Sequence, residues 1–157
     1  MNKIPLLITI LCIFFLGFFS NTIIANSNIQ IPFDFNATER PSPKDRISED
    51  QILVLPDKII INIAQASWAQ YTDTNSMDPL LDEEANGLEL TPENKEDLQV
   101  GDVIAYETNI GFIVHRIIDI NEDEQGWYCI TKGDNSSLAD QKVRFEQIRF
   151  VLIGVIY

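Results

Sequence analysis

Phe112-Ile113-Val114-His115-Arg116-Ile117-Ile118 is a run of β-branched and aromatic residues around the single histidine of the chain. On a strand, Ile113, His115 and Ile117 share one face, while Phe112, Val114, Arg116 and Ile118 share the other. Residues of the same kind, punctuated by Gly, Asn and Asp, lie on both sides of it. Gly101-Asp102 opens a run from Val103 to Tyr106, Gly111 to Ile120 contains the histidine, and Gly126 to Thr131 follows. Val143 to Tyr157 closes the chain, with a break expected near Gly154. Upstream, Ile52 to Leu55 and Ile59 to Ile63 are separated by the turn signal Pro56-Asp57. Thr91 to Leu98 alone reads as a helix, with Thr91 as N-cap, Pro92 at the first position and Glu93 in the first turn. Many short strands joined by turns imply a mainly β, antiparallel domain.

The chain has 157 residues, enough for one domain with a sizeable core and an additional tail or anchor. Its 24 acidic and 11 basic residues give a formal charge of −13. Such a surface excludes a nucleic-acid partner, because it cannot neutralise a phosphate backbone. Broad docking on anionic lipid is disfavoured for the same reason. Cys12 falls in an apolar N-terminal run and Cys129 in an expected strand, so no disulfide framework or metal-ligand spacing is present.

Lys3 precedes the apolar run Ile4 to Phe19, and Ile23 to Ala25 add further apolar residues. About 20 residues cross a hydrocarbon core. Residues 1–25 are therefore expected to form a retained transmembrane anchor, with a cleaved secretory signal as the alternative. In both cases Lys3 stays inside and the remainder is extracytoplasmic. Residues 26–50, rich in Asn, Ser, Pro and charge, read as a tether stiffened by Pro41-Ser42-Pro43 and kept solvated by Lys44, Asp45 and Arg46. Within it Asn36-Ala37-Thr38 is a glycosylation sequon. The β-rich domain is expected over residues 51–157.

Between the apolar run Ile59 to Trp68 and an acidic loop from Leu80 lies Thr74-Asn75-Ser76-Met77-Asp78-Pro79. Taken alone it is an ordinary turn whose side chains cap the local backbone. His115, projecting between two isoleucines, is in a setting that favours the neutral, proton-accepting imidazole; a histidine satisfied by a backbone carbonyl is the plainer reading. Thr131-Lys132-Gly133-Asp134-Asn135-Ser136 is a tight-turn sequence followed by Asp140. Asp134 and Asp140 are the carboxylates nearest the histidine strand, and either one could reach His115 Nδ1. Asn135-Ser136-Ser137 is formally a second sequon.

In this order, Ser76-Met77-Asp78-Pro79, Gly101-Asp102-Val103-Ile104, Val114-His115-Arg116 and Thr131 to Asn135 with Asp140 resemble the type I signal peptidases. The resemblance is to the archaeal and endoplasmic-reticulum branch, in which His replaces a Lys base, and it covers roughly residues 66 to 157. It implies an antiparallel β-sheet catalytic domain behind an N-terminal transmembrane helix, on the extracytoplasmic side of the membrane. It further implies a serine endopeptidase that cleaves secretory precursors after small residues at P1 and P3. Ser76 is similar to the nucleophile, His115 to the general base, Asp140 to the acid of the triad and Asp134 to a second acidic residue supporting it. Thr74 and the Ser76 N–H would form the oxyanion hole. The implied partners are signal-peptide-bearing precursors and the lipid bilayer; no metal or organic cofactor is implied.

The sequence departs from that pattern at three places. Ser76 lies far beyond Phe19, Ser136 stands where many relatives have a second Asn, and Leu80 to Leu90 is acidic. These departures leave open a specialised protease for one surface precursor, and a catalytically silent secreted β-domain that binds a partner.

Overall fold

The computed structural model describes residues 39–157, and Ile13 apart from them. The expected anchor, the sequon at Asn36 and residues 26–38 of the expected tether lie outside the described residues. Among those described, no helix is long and apolar enough to cross a membrane.

Nine strands occur among the described residues: β1 Ile52–Val54, β2 Ile59–Ile61, β3 Ser67–Gln70, β4 Asn86–Leu90, β5 Val103–Thr108, β6 Gly111–Asp123, β7 Gly126–Lys132, β8 Lys142–Arg144 and β9 Ile148–Ile156. β1 and β2 form a separate hairpin, and the other seven build one sheet in the order β3-β4-β9-β5-β6-β7-β8. Every neighbouring pair is antiparallel. The mainly β, antiparallel expectation therefore holds for the described residues.

Register assigns the side chains to two faces. Ile104 opposes His115 and Tyr106 opposes Ile113, so these four share one face. That face packs with Ile117, Cys129, Val143, Ile148 and Val151 into the larger core. Val103 opposes Arg116 and Ala105 opposes Val114 on the second face. There Val103 and Leu152 are covered by Met77, Leu81 and Ala85 from the segment that follows β3. The expected alternation around His115 thus persists as far as Ile117, and a register shift follows between Ile117 and Asp119.

Four local expectations are corrected. Thr91 to Leu98 is not an α-helix: only Lys95–Asp97 forms a 3-10 turn, with extended Asn94 as its N-cap. The Asp97 carboxylate accepts the backbone N–H groups of Glu93 and Asn94, a local alternative that a segment this short adopts more readily than a helix nucleus. The acidic loop ends early, because Asn86 to Leu90 is β4, paired with both β3 and β9. In the last segment the break falls at the 3-10 turn Phe145–Gln147 rather than at Gly154. Phe145 packs edge-on against Trp127 (ring centroids 6.2 Å apart), and Gln147 Oε1 accepts the Arg144 N–H. Gly154 continues β9 beside a one-residue register shift.

The fourth correction concerns the tether, since residues 40–50 belong to the same compact unit as the sheet. Asp102, fully buried, accepts the Lys44 N–H (2.8 Å), the Gln99 N–H (2.8 Å) and two bonds from the Arg46 guanidinium (2.9 and 2.8 Å). Gly101 has φ +105°, and a Cβ there would lie 2.5 Å from the Ser42 carbonyl oxygen. Left-handed backbone and close approach both require glycine at this crossing. Arg46 is thus an ion-pair partner, not a solvating charge.

Burial raises the Asp102 carboxyl, but the hydrogen bonds from Arg46, Lys44 and Gln99 outweigh it and hold the pKa below its ordinary 3.8. The stabilisation is therefore present above that value and is lost as pH falls through the lower folded value. Arg46→Ala, which strands the buried carboxylate, is expected to destabilise the domain by about 3 kcal/mol in urea unfolding. A change below about 1 kcal/mol would contradict a structural role for the strap.

Candidate active site

β6 carries His115 opposite Ile104, where its side chain is only 12% exposed. His115 Nδ1 lies 2.6 Å from Asp140 Oδ2. The Thr131 hydroxyl donates to the same oxygen at 2.7 Å and lies 3.3 Å from the Tyr106 hydroxyl. An ionised carboxylate only accepts, so a carboxylate oxygen shared with a Thr donor fixes the proton on Nδ1. In the neutral tautomer Nε2 is then the acceptor. Asp140 is held from a second side by its own N–H, which donates to the Thr131 carbonyl at 2.8 Å.

Of the two aspartates left open by the sequence, Asp140 is the one on the imidazole. Asp134 is turned away: its carboxylate takes two bonds from Arg116, 2.7 Å from Nε and 2.6 Å from Nη2. Arg116 also donates to the Gly101 carbonyl (2.7 Å). The Asp134 hydrogen bond is the largest of the influences that raise the guanidinium pKa further. Asp134 thus braces the loop after β7 and does not contact His115. The sequence gives Thr131 no role of its own; its place two residues after Cys129, on the same face of an expected strand, is the signal it carries.

The Gly133 loop packs against both the Ser76 backbone and the histidine, while the Ser76 hydroxyl itself is bonded to Thr74. Asn135 donates its N–H to the Ser76 carbonyl (3.0 Å) and its Nδ2 to the Asn75 carbonyl (2.9 Å). The Asp134 N–H points at Met77 Sδ, 3.5 Å away. A Cβ on Gly133 would lie 2.5 Å from the Ser76 carbonyl oxygen, 2.5 Å from Ser136 Oγ and 3.0 Å from His115 Nε2. Only a residue without a side chain lets the serine segment and the imidazole approach each other here. The second sequon is used structurally, since the Asn135 amide that would carry a glycan is bonded to Asn75.

Thr74 Oγ1 and Ser76 Oγ are 3.1 Å apart. Both line a cleft of about 360 Å³ that continues along Phe112, Val114 and His115 over an apolar floor of Met77 and Leu81. From Gly111 to His115, β6 pairs with β5 alone, because its pairing with β7 begins at Arg116. The strand therefore presents an unpaired edge beside the cleft.

Glu89, 4% exposed, is bonded to the hydroxyl of Tyr71, which lines this cleft. Desolvation raises its pKa above 4.5, and the hydrogen bond from Tyr71 only partly opposes that. The Tyr71 hydroxyl is itself pushed up by burial and by the neighbouring carboxyl. Because the folded value lies above the unfolded one, Glu89 is least costly below pH 4.5, and stability is lost as pH rises through the folded value. Glu89→Gln is expected to flatten this part of the Tm-versus-pH curve; an unchanged slope would contradict it. Gly133→Ala should lower the reactivity of Ser76 by at least about tenfold, through displacement by an ångström or less. Wild-type reactivity in that variant, measured with a serine-directed probe, would contradict the close approach.

Comparison of the chain with protein-family models, with curated protein sequences and with solved structures gives no match.

Proposed function

We propose that the chain is a membrane-anchored serine endopeptidase that removes N-terminal signal peptides from secreted precursors after small residues. The observation that carries this reading is the His115–Asp140 pair at 2.6 Å, its free Nε2 packed with the Ser76 backbone against Gly133. His115 takes the proton from Ser76 Oγ as that oxygen attacks the scissile carbonyl. Asp140, held by Thr131, stabilises the imidazolium that forms. The imidazolium then protonates the leaving amine, and water repeats the sequence on the acyl-enzyme.

The Ser76 N–H has no protein acceptor among the described residues. With the Thr74 hydroxyl it supplies the oxyanion donors, each worth about 3 kcal/mol in the transition state. An extended peptide could add to the free edge of β6 with main-chain hydrogen bonds, placing its carbonyl over Ser76. The apolar run Ile4 to Phe19 would hold the enzyme in the bilayer, with the sheet domain outside the cytoplasm. The narrower expectation of a protease dedicated to one surface precursor uses the same chemistry and differs only in substrate range.

The test is cleavage of a precursor with small residues at P1 and P3 by the full chain in membranes. Ser76→Ala and His115→Ala should each reduce the rate at least about 1,000-fold. Equal rates for wild type and Ser76→Ala would defeat the proposal.

A further inference from the structure

Glu89 takes no part in the chemistry above, yet it lies under the segment that carries Ser76. It opposes Leu152 of β9, on the face covered by Met77, Leu81 and Ala85. Its Oε1 accepts a hydrogen bond from the Tyr71 hydroxyl at 3.1 Å. Tyr71 follows β3 directly and is the last residue to pack against this core before the chain turns outward. The residues from Thr72 to Asn75 are exposed, and Asn75 adopts a left-handed φ of 58°. The chain is buried again at Met77, 4% exposed. Ser76 is therefore placed by a short exposed bridge whose two ends are Tyr71 and Met77.

Two features show that the Tyr71 end is built for position. Gly87 opposes Ala69, and a Cβ on it would overlap the Tyr71 hydroxyl, so β4 leaves the space that the phenol occupies. A carboxyl in this apolar layer costs stability that Leu or Met would not. What Glu89 adds is a directional acceptor for one hydroxyl.

We propose that Tyr71 and Glu89 are positioning residues for Ser76: their hydrogen bond fixes the start of the Thr72–Ser76 bridge and, through it, the alignment of the Thr74 and Ser76 hydroxyls with His115. The inference rests on Ser76 being the nucleophile.

The experiment measures the second-order rate of Ser76 labelling by a fluorophosphonate, followed by mass spectrometry on the full chain in detergent micelles. Tyr71→Phe and Glu89→Leu should each slow labelling about fivefold, the rate equivalent of one neutral hydrogen bond. The double variant should be no slower than either single one, because both remove the same interaction. Glu89→Gln, which keeps a carbonyl acceptor, should label within about twofold of wild type. Melting curves accompany each measurement; if Glu89→Leu fails to fold, Tyr71→Phe and Glu89→Gln carry the comparison. Wild-type rates in both single variants, multiplicative losses in the double, or a Gln variant as slow as Leu would each overturn the inference alone. A wild-type chain that does not label at Ser76 would overturn the reading beneath it as well.

Discussion

The missing side chain at Gly133 is the constraint on which the site depends. The Ser76 carbonyl, Ser136 Oγ and His115 Nε2 all lie within 3.0 Å of where a Cβ would be. The Ser76 segment and the His115 strand, distant in sequence, can both meet the loop after β7 there only because nothing projects from Gly133. The loop is held in that place from two directions. Arg116 ties Asp134 to the turn at Gly101, and the Asn135 N–H and amide tie the other flank to the carbonyls of Ser76 and Asn75. The serine and the histidine sit on separate supports, one on the covering segment and one on the sheet, and Gly133 is where those supports touch.

The two most buried carboxylates show how opposite solutions serve one scaffold. Asp102 is surrounded by donors and keeps its charge, which fastens residues 42–46 to the sheet. Glu89 has one neutral donor, and burial pushes it towards the protonated form. The first stabilises the fold wherever the carboxylate is ionised. The second weakens it as pH rises, in a part of the core next to the cleft. Acidic side chains elsewhere, such as Asp123 with Lys142 and Arg144, lie nearer the surface and pair in the ordinary way.

The strand content was legible because β-branched runs alternate with Gly, Asn and Asp turns; β5, β6 and β7 begin within a residue or two of Gly101, Gly111 and Gly126. The face shared by Ile113, His115 and Ile117 followed from period-two alternation alone. Other features were hidden by their chemistry. Glu89 carries a residue type that is seldom buried, so β4 read as part of an acidic loop. Arg46 read as solvation, because its partner Asp102 is distant in sequence. Pro92 and Glu93 signalled a helix that the Asp97 side chain replaces with a turn. The choice between Asp134 and Asp140 depended on where a loop places its side chains, which spacing does not encode. The site residues were visible as types in order; their pairing required the fold.

Because His115 is the only histidine, one spectroscopic measurement reads the centre of the account without assignment ambiguity. Nitrogen-15 NMR of the imidazole in the full chain distinguishes the tautomers directly. The arrangement with Asp140 and Thr131 predicts that the neutral tautomer carries its proton at Nδ1, with Nε2 bare and a low-field Nδ1 proton that is lost in Asp140→Asn. A ring protonated at Nε2, or a spectrum indifferent to Asp140→Asn, would contradict the proposed role of His115 as the base for Ser76.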